Sequence, residues 1–189
     1  KNNIECDGII NAAGPWSDKV AKLINQNVEL QLTRGCGIFF TGQLVSQAIN
    51  RCRIPNNNDI MCPSGKESLW GTTSEVVNNP DTSKTSPDEI QELLLGAEEL
   101  FPNIRNYKSF RTWSGVRPLA KPKNINNTLP LPRSHLVIDH EGMGLKNFLT
   151  VCGGALTTHR LMAEDVVNNL GNKFGIDIAC SSHTTPLLN

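Results

Sequence analysis

"TVCGGALTTHRLMAEDVV", residues 150–167, passes from β-branched residues through two glycines straight into an apolar spacing of helical period. Thr150 and Val151 suit a strand, Gly153-Gly154 a tight turn, and Thr157 or Thr158 a helix cap. A strand that turns directly into a helix leaves several backbone N–H groups at the helix N-terminus without acceptors. Those donors and the helix dipole both favour an electron-rich ligand atom. An ordinary glycine turn capped by threonine satisfies the same pattern, so the residues alone leave both readings open.

The flanks extend the picture. The periodic face of this last helix, about Leu156 to Leu170, carries Met162, Ala163, Val166, Val167 and Leu170, with Gly171 as its stop signal. Upstream, "HLVID" and "NFLTV" read as two strands. "GIINAAG" (Gly8 to Gly14) reads as a short buried strand, and Pro15 follows at the start of a helix running from Trp16 to about Ile24. "LQLTRGCGIFFTG" is extended, with Gly35 and Gly37 predicting a bulge or a close backbone approach. "DIMCPSGKESLWGTT" has a hairpin's composition around Ser64-Gly65-Lys66. The clearest helix has Ser86 as N-cap, Pro87 in the first turn and Glu89 three residues after the cap; its apolar periodicity lasts to Phe101, where Pro102 stops it. "YKSFRTWSGVRPL" is extended, and Lys121 to Pro130 reads as a surface loop. Grouped strands with only three helices predict an α+β fold, a mostly antiparallel sheet with helices on one side.

The whole composition bounds what this fold can do. The 189 residues include 18 basic and 18 acidic side chains, so no global field favours nucleic acid or an anionic membrane, and an anion site must be built locally. No run of roughly 18 apolar residues predicts a transmembrane helix. Cys6, Cys36, Cys52, Cys62, Cys152 and Cys180 show no CxxC pair, which argues against a zinc site or a disulfide framework. The four histidines lack metal-ligand spacing, so no metal is expected. The first residue is Lys1, and the opening reads like the middle of a longer chain.

Local chemistry concentrates at four places. Besides the Gly153-Gly154 turn, Arg117 in "SGVRPL" is restricted to β-like angles by Pro118, and a fixed guanidinium makes a bidentate clamp for phosphate or carboxylate. Arg133 in "LPRSH" is a second candidate. "NAAGPW" offers a strand end of small residues, Ala12, Ala13 and Gly14, that permits close ligand approach. Each feature also has an ordinary structural reading, and no self-sufficient catalytic set emerges.

"GIINAAGPWSDKVAKL", "RTWSGVRPL", "FLTVCGGALTTHRLMAEDVV" and "HTTPL" occur in the order and spacing of the FAD-dependent glycerol-3-phosphate dehydrogenases, within the wider D-amino-acid-oxidase-like flavoprotein superfamily. The likeness runs from about Cys6 to Pro186. "AINRCRIPNNNDIMCPSGKESLWGTTSE" further resembles the A-type polypeptide of the anaerobic enzymes.

The resemblance implies a two-domain FAD oxidoreductase. Residues 1–30 and 141–174 would belong to the FAD-binding domain, the latter as its last strand and helix, 31–140 to the substrate-binding domain, and 175–189 to a linker tail. The GxGxxG segment that grips the ADP half of FAD is absent from this sequence, so the chain by itself is expected to bind FAD poorly. The family's pattern makes Ala12, Ala13, Gly14, Gly153, Gly154, Ala155, Leu156 and Thr157 flavin contacts, Arg117 the phosphate-binding arginine and Arg133 a second arginine near the substrate. The catalytic base is not identified. The implied reaction is oxidation of sn-glycerol 3-phosphate to dihydroxyacetone phosphate, with electrons passed through partner subunits to a quinone pool. The implied location is cytoplasmic, or peripheral on the inner face of the membrane through those subunits. Cys180 is not expected to bind an iron–sulfur cluster. One departure stands out: Ala155 replaces the family's usual lysine. A related dehydrogenase or oxidase for a small 2-hydroxy or amino acid, and a non-catalytic domain binding an anion or a partner protein, are the alternatives.

Overall fold

The computed structural model describes residues 3–54, 57–107, 109–121 and 133–186. The chain divides into two compact units, one formed by residues 1–31 with 118–189 and the other by residues 32–117.

The first unit is built on a three-stranded sheet. Strand β1 (Ile9–Asn11) lies parallel to β9 (Phe148–Gly153), and β8 (His135–Asp139) lies antiparallel on the other side of β9. As the central strand, β9 is buried over Phe148–Cys152, which is why its sequence is a continuous apolar run rather than an alternating one. Successive side chains point to opposite faces. Leu149 and Val151 pack with Ile10 and Val137 against Met162, Val166 and Leu170 of helix α3 (His159–Lys173). Cys152 packs on the other face with Val28, Ala120 and Ala21, the last from helix α1 (Ser17–Lys22). The small sheet is thus covered by one helix on each face. A 3-10 turn over Gly14–Trp16 precedes α1, with Pro15 inside it.

Two details of α3 differ from the sequence expectation. The helix continues through Gly171 to Lys173, and the chain turns instead at Gly175, whose φ of +69° lies in the left-handed region. Gly171 also sits in a tight place: a Cβ there would lie 3.2 Å from the Ile176 carbonyl oxygen. The buried stripe is also narrower than the apolar spacing suggests, since Ala163 and Val167 are exposed.

The second unit holds a larger antiparallel sheet. Its strands β2 (Leu30–Thr41), β3 (Ile49–Asn50), β4 (Ile60–Ser64), β5 (Glu67–Gly71) and β6 (Glu75–Val77) take the order β3-β4-β5-β2-β6, and β7 (Ser109–Ala120) also pairs with β2. The β4–β5 hairpin turns at Gly65, with φ +63°. Helix α2 (Pro87–Glu98) begins with the full reciprocal cap: Glu89 N–H donates to Ser86 Oγ (3.2 Å), and Ser86 N–H donates to Glu89 Oε2 (2.9 Å). It lays Leu93 and Ala97 against Ile38, Phe40, Met61 and Trp70, the core of this unit. The helix ends at Glu98, short of Phe101, which still packs against that core. Strand β2 runs continuously through Gly35 and Gly37, where the sequence predicts a bulge or a close approach, and a close approach is what the structure shows there. Gly35 and Gly37 make room for side chains arriving from β7.

Residues 122–130 of the expected surface loop lie outside the described residues. Among the described residues, no helix is long and apolar enough to cross a membrane.

Candidate functional site

In the first unit, Asn11 of β1 stands opposite Thr150 of β9. Because the two strands are parallel, both run to the same end of the sheet. Ala12–Gly14 and Gly153–Thr157 therefore leave it side by side, at the carboxyl ends where open α/β sheets bind ligands. Gly14 has φ +56° and open space where a Cβ would stand.

The glycine pair is demanded first by the turn itself. Gly153 and Gly154 have φ of +76° and +74°, two successive left-handed residues that side chains resist. A Cβ on Gly153 would lie 2.6 Å from Ser134 O, and one on Gly154 would overlap the Met162 sulfur. Ala155 is extended, and a 3-10 turn over Leu156–Thr158 leads into α3. Two of the turn's donors are consumed locally: Gly154 N–H by Ser134 O (3.2 Å) and Ala155 N–H by Thr158 Oγ1 (3.2 Å). The first bond of the turn runs from Thr158 N–H to Ala155 O (3.0 Å), so the N–H groups of Leu156 and Thr157 have no acceptor within it. Both residues are exposed, as is Ala155. The donor set is narrower than four successive residues.

A buried polar chain that sequence reasoning missed braces this sheet end. Asn11 donates from Nδ2 to Ser17 O (2.9 Å) and Thr150 Oγ1 (3.3 Å), while its Oδ1 accepts from Ala13 N–H (3.3 Å). His140 Nε2 lies 2.9 Å from Thr150 Oγ1. The His140 ring is fully buried, edge-on to Phe148, and burial pushes its pKa below the usual imidazole range. The ring is accordingly neutral, and its role is to hold Thr150, hence Asn11 and the Ala12–Ala13 backbone. Only the lone asparagine inside the apolar "GIINAAG" run hints at this chain. Nearby, His135 Nε2 pairs with Asp165 Oδ2 (2.6 Å).

In the second unit, Arg117 reaches from β7 across β2. Its Nη2 donates to Thr72 Oγ1 (2.9 Å) and its Nη1 to Thr73 O (3.3 Å). A Cβ on Gly35 would overlap this guanidinium, so glycine at 35 is what lets the arginine lie over the strand. Beneath it lies a charged cluster. Glu89, 6% exposed, accepts from Arg34 Nη2 (2.7 Å), and Arg34 also pairs with Glu75. Burial pushes the Glu89 carboxyl up, but hydrogen bonds from Ser86 N–H, Cys36 and Thr73 and the charge of Arg34 outweigh it and bring the pKa to about 2. The carboxylate is ionised at neutral pH. Cys36 is pushed up by burial and by Glu89, and so is an inert thiol. Arg133 belongs to the first unit and is exposed just before β8.

A mixed α/β chain with small residues and open donors at the carboxyl ends of parallel strands, and a seated arginine on an antiparallel sheet, defines the class. The model of the FAD dependent oxidoreductase family matches residues 1–168, and the chain belongs to that family. It is 32% identical over 177 residues to the A-type polypeptide of the anaerobic glycerol-3-phosphate dehydrogenase of Escherichia coli, covering 92% of this chain and 33% of that protein. It is 29% identical over 187 residues to the A1-type polypeptide of the anaerobic glycerol-3-phosphate dehydrogenase of Haloferax volcanii, covering 97% of this chain and 32% of that one. Among solved structures, the glycerol-3-phosphate dehydrogenase from Bacillus halodurans complexed with FAD superposes with a TM-score of 0.74 at 19% identity, over 95% of this chain and 34% of that one. Glycine oxidase from Bacillus cereus superposes with a TM-score of 0.64 at 19% identity, over 91% and 43%. These structural likenesses speak for the fold. The chain spans about a third of the length of the curated relatives it matches.

Proposed function

We propose that the protein containing this chain is an FAD-dependent dehydrogenase that oxidises sn-glycerol 3-phosphate to dihydroxyacetone phosphate and delivers the electrons through partner subunits to a quinone. The observation that carries this reading is the Arg117 guanidinium, laid over Gly35 and held through both terminal nitrogens by Thr72 and Thr73. A planar fork fixed on a rigid strand suits a phosphate. The Escherichia coli and Haloferax volcanii relatives are polypeptides of glycerol-3-phosphate dehydrogenases, which supports the same substrate. Partner subunits would bring the protein to the inner face of the membrane.

We assign the first unit, residues 1–31 with 118–189, to the FAD-binding domain and the second, residues 32–117, to the substrate-binding domain, so that residues 118–140, expected from the sequence in the substrate-binding domain, go with the FAD-binding one. Ala12, Ala13 and Gly14 present little side chain, Gly153 and Gly154 present none, and Leu156 and Thr157 retain N–H donors, so these residues fit the edge of a planar ring with carbonyl oxygens. The sequence has no GxGxxG motif of the kind that grips the pyrophosphate. FAD held there would supply the hydride acceptor for oxidation at C2 of the substrate. Arg117 would neutralise the phosphate and hold the substrate in one orientation, and we keep Arg133 as a second, exposed candidate for an anionic group of the substrate. The Leu156 and Thr157 N–H groups would stabilise negative charge at their end of the ring. Flavin absorbance and a substrate screen on the full-length protein test the reading. Turnover with sn-glycerol 3-phosphate far above that with glycerol is expected, and equal turnover with both would overturn it.

Gly35→Ala is a sharper probe. The atom that a new Cβ meets is the far end of a flexible side chain, so the fold tolerates it while the guanidinium is displaced. KM for sn-glycerol 3-phosphate is expected to rise about tenfold with little change in melting temperature, as for loss of one charged hydrogen-bonding contact. An unchanged KM would detach Arg117 from the substrate.

Ala155→Lys tests the departure from the family pattern. Ala155 is exposed, so a lysine fits without repacking. If the substrate is glycerol 3-phosphate, a cation there should raise kcat roughly fivefold by stabilising developing negative charge. A second reading, oxidation of a small 2-hydroxy or amino acid whose carboxylate Arg117 holds, is favoured by the missing cation. It gains if the lysine leaves FAD content intact, lowers turnover of glycerol 3-phosphate and leaves a carboxylate substrate unaffected.

A further inference from the structure

Thr73 bonds in two directions at once. On one side its carbonyl accepts from Arg117 Nη1 (3.3 Å), while the adjoining Thr72 hydroxyl accepts from Nη2 (2.9 Å). On the other side its hydroxyl accepts from Cys36 N–H (2.9 Å) and donates to Glu89 Oε1 (3.0 Å), and its N–H donates to Cys36 O (3.1 Å). Thr73 is 2% exposed, so these bonds do not compete with water. Glu89 is itself fixed by Ser86 N–H and Arg34. A buried ion pair adds little to stability compared with apolar residues of the same size, and its best-attested use is to enforce one arrangement.

We propose that Thr73, anchored by the Glu89 carboxylate, is a positioning residue that sets the orientation of the Arg117 guanidinium toward an anionic group of the substrate. This rests on the reading that Arg117 binds the substrate phosphate. Thr73 does not itself touch substrate. With its hydroxyl tethered to Glu89 and its backbone paired to Cys36, the Thr72–Thr73 segment cannot swing, and the fork of Arg117 inherits that rigidity. Without the tether the arginine keeps its charge but loses its direction, so substrate capture weakens more than the chemical step.

The test uses the full-length, FAD-loaded protein carrying Thr73→Val, Thr73→Ser or Arg117→Ala. KM for sn-glycerol 3-phosphate, Ki for inorganic phosphate, kcat, flavin absorbance and melting temperature are measured on each. Thr73→Val removes both buried hydrogen bonds of the hydroxyl and, through the lost tether to Glu89, is expected to raise KM and the phosphate Ki together by about fivefold to tenfold, with kcat and FAD content nearly unchanged. Thr73→Ser, which keeps the hydroxyl, should restore both constants. A lower melting temperature with KM and Ki unmoved would reduce Thr73 to a structural residue and overturn the proposal. If Arg117→Ala raises KM and Thr73→Val does not, positioning fails while the phosphate reading stands. If neither moves KM, the phosphate reading has failed and takes the proposal with it. Should Thr73→Val not accumulate as folded protein, Glu89→Gln carries the test, because glutamine keeps an acceptor for Ser86 N–H but weakens the tether. An unmoved KM in that variant overturns the proposal equally.

Discussion

Arg117→Ala in the full-length protein is expected to lower kcat/KM for sn-glycerol 3-phosphate by about 2–5 kcal/mol of transition-state binding, the usual range for removing one partner of a desolvated charge pair. The half-buried guanidinium lies on a strand and donates to Thr72 Oγ1 and Thr73 O, which orient it. Arg117→Lys should recover only part of the loss. A single ammonium cannot hold Thr72 and Thr73 and present a fork to the phosphate at once. Arg133→Ala should cost less, because Arg133 is exposed. FAD content should stay constant in all three, since neither arginine is assigned to the flavin. Steady-state kinetics with flavin absorbance recorded on the same samples checks this, and near-normal kcat/KM in the alanine variant would remove Arg117 from the substrate site.

What the sequence disclosed depended on how local the cause was. The α2 cap is readable because Ser86 and Glu89 stand three residues apart and satisfy each other's backbone. The strand, glycine pair and helix at 148–173 are readable for the same reason, as is the turn at Gly65. Gly35 illustrates the opposite case. Its presence signals a close approach, but what approaches is the guanidinium of a strand far along the chain, and no local pattern names it. His140 was equally hidden: its partner Thr150 lies on a neighbouring strand, and Asn11, at the other end of the chain, completes the set. Gly171 and Gly175 show a subtler limit. Two glycines four residues apart each fit a helix end, yet the first lies inside the helix and the second, with φ +69°, turns the chain, a choice that the local sequence does not make. Residues assigned to flavin and phosphate were found through resemblance, because their types are ordinary and their chemistry arises from where the fold puts them.

Glu89 is legible in the sequence as a cap, yet the structure gives it a far heavier duty, and Glu89→Ala is expected to destabilise the chain by about 3–5 kcal/mol. The substitution removes the reciprocal bond to Ser86 N–H and leaves the buried Arg34, among the described residues, with the exposed Glu75 as its ion-pair partner. Glu89→Gln should cost less, since it keeps the cap. The same residue sets a pH dependence with a definite sign. Its folded pKa, about 2, lies below the unfolded value of 4.5, so the native state holds the carboxylate ionised where the unfolded chain would protonate it. The stabilisation is therefore fully present above pH 4.5, amounts to about 3 kcal/mol, and is lost as pH falls from 4.5 toward 2. Urea unfolding of the parent chain and the alanine variant at pH 7 and pH 3 checks both statements. The gap between the two proteins should shrink by about 2 kcal/mol at the lower pH, because at pH 3 the parent too has lost much of what the carboxylate supplies. A gap of the same size at both pH values would mean that Glu89 stabilises the fold through its shape and its cap, and that the charge facing Arg34 contributes nothing.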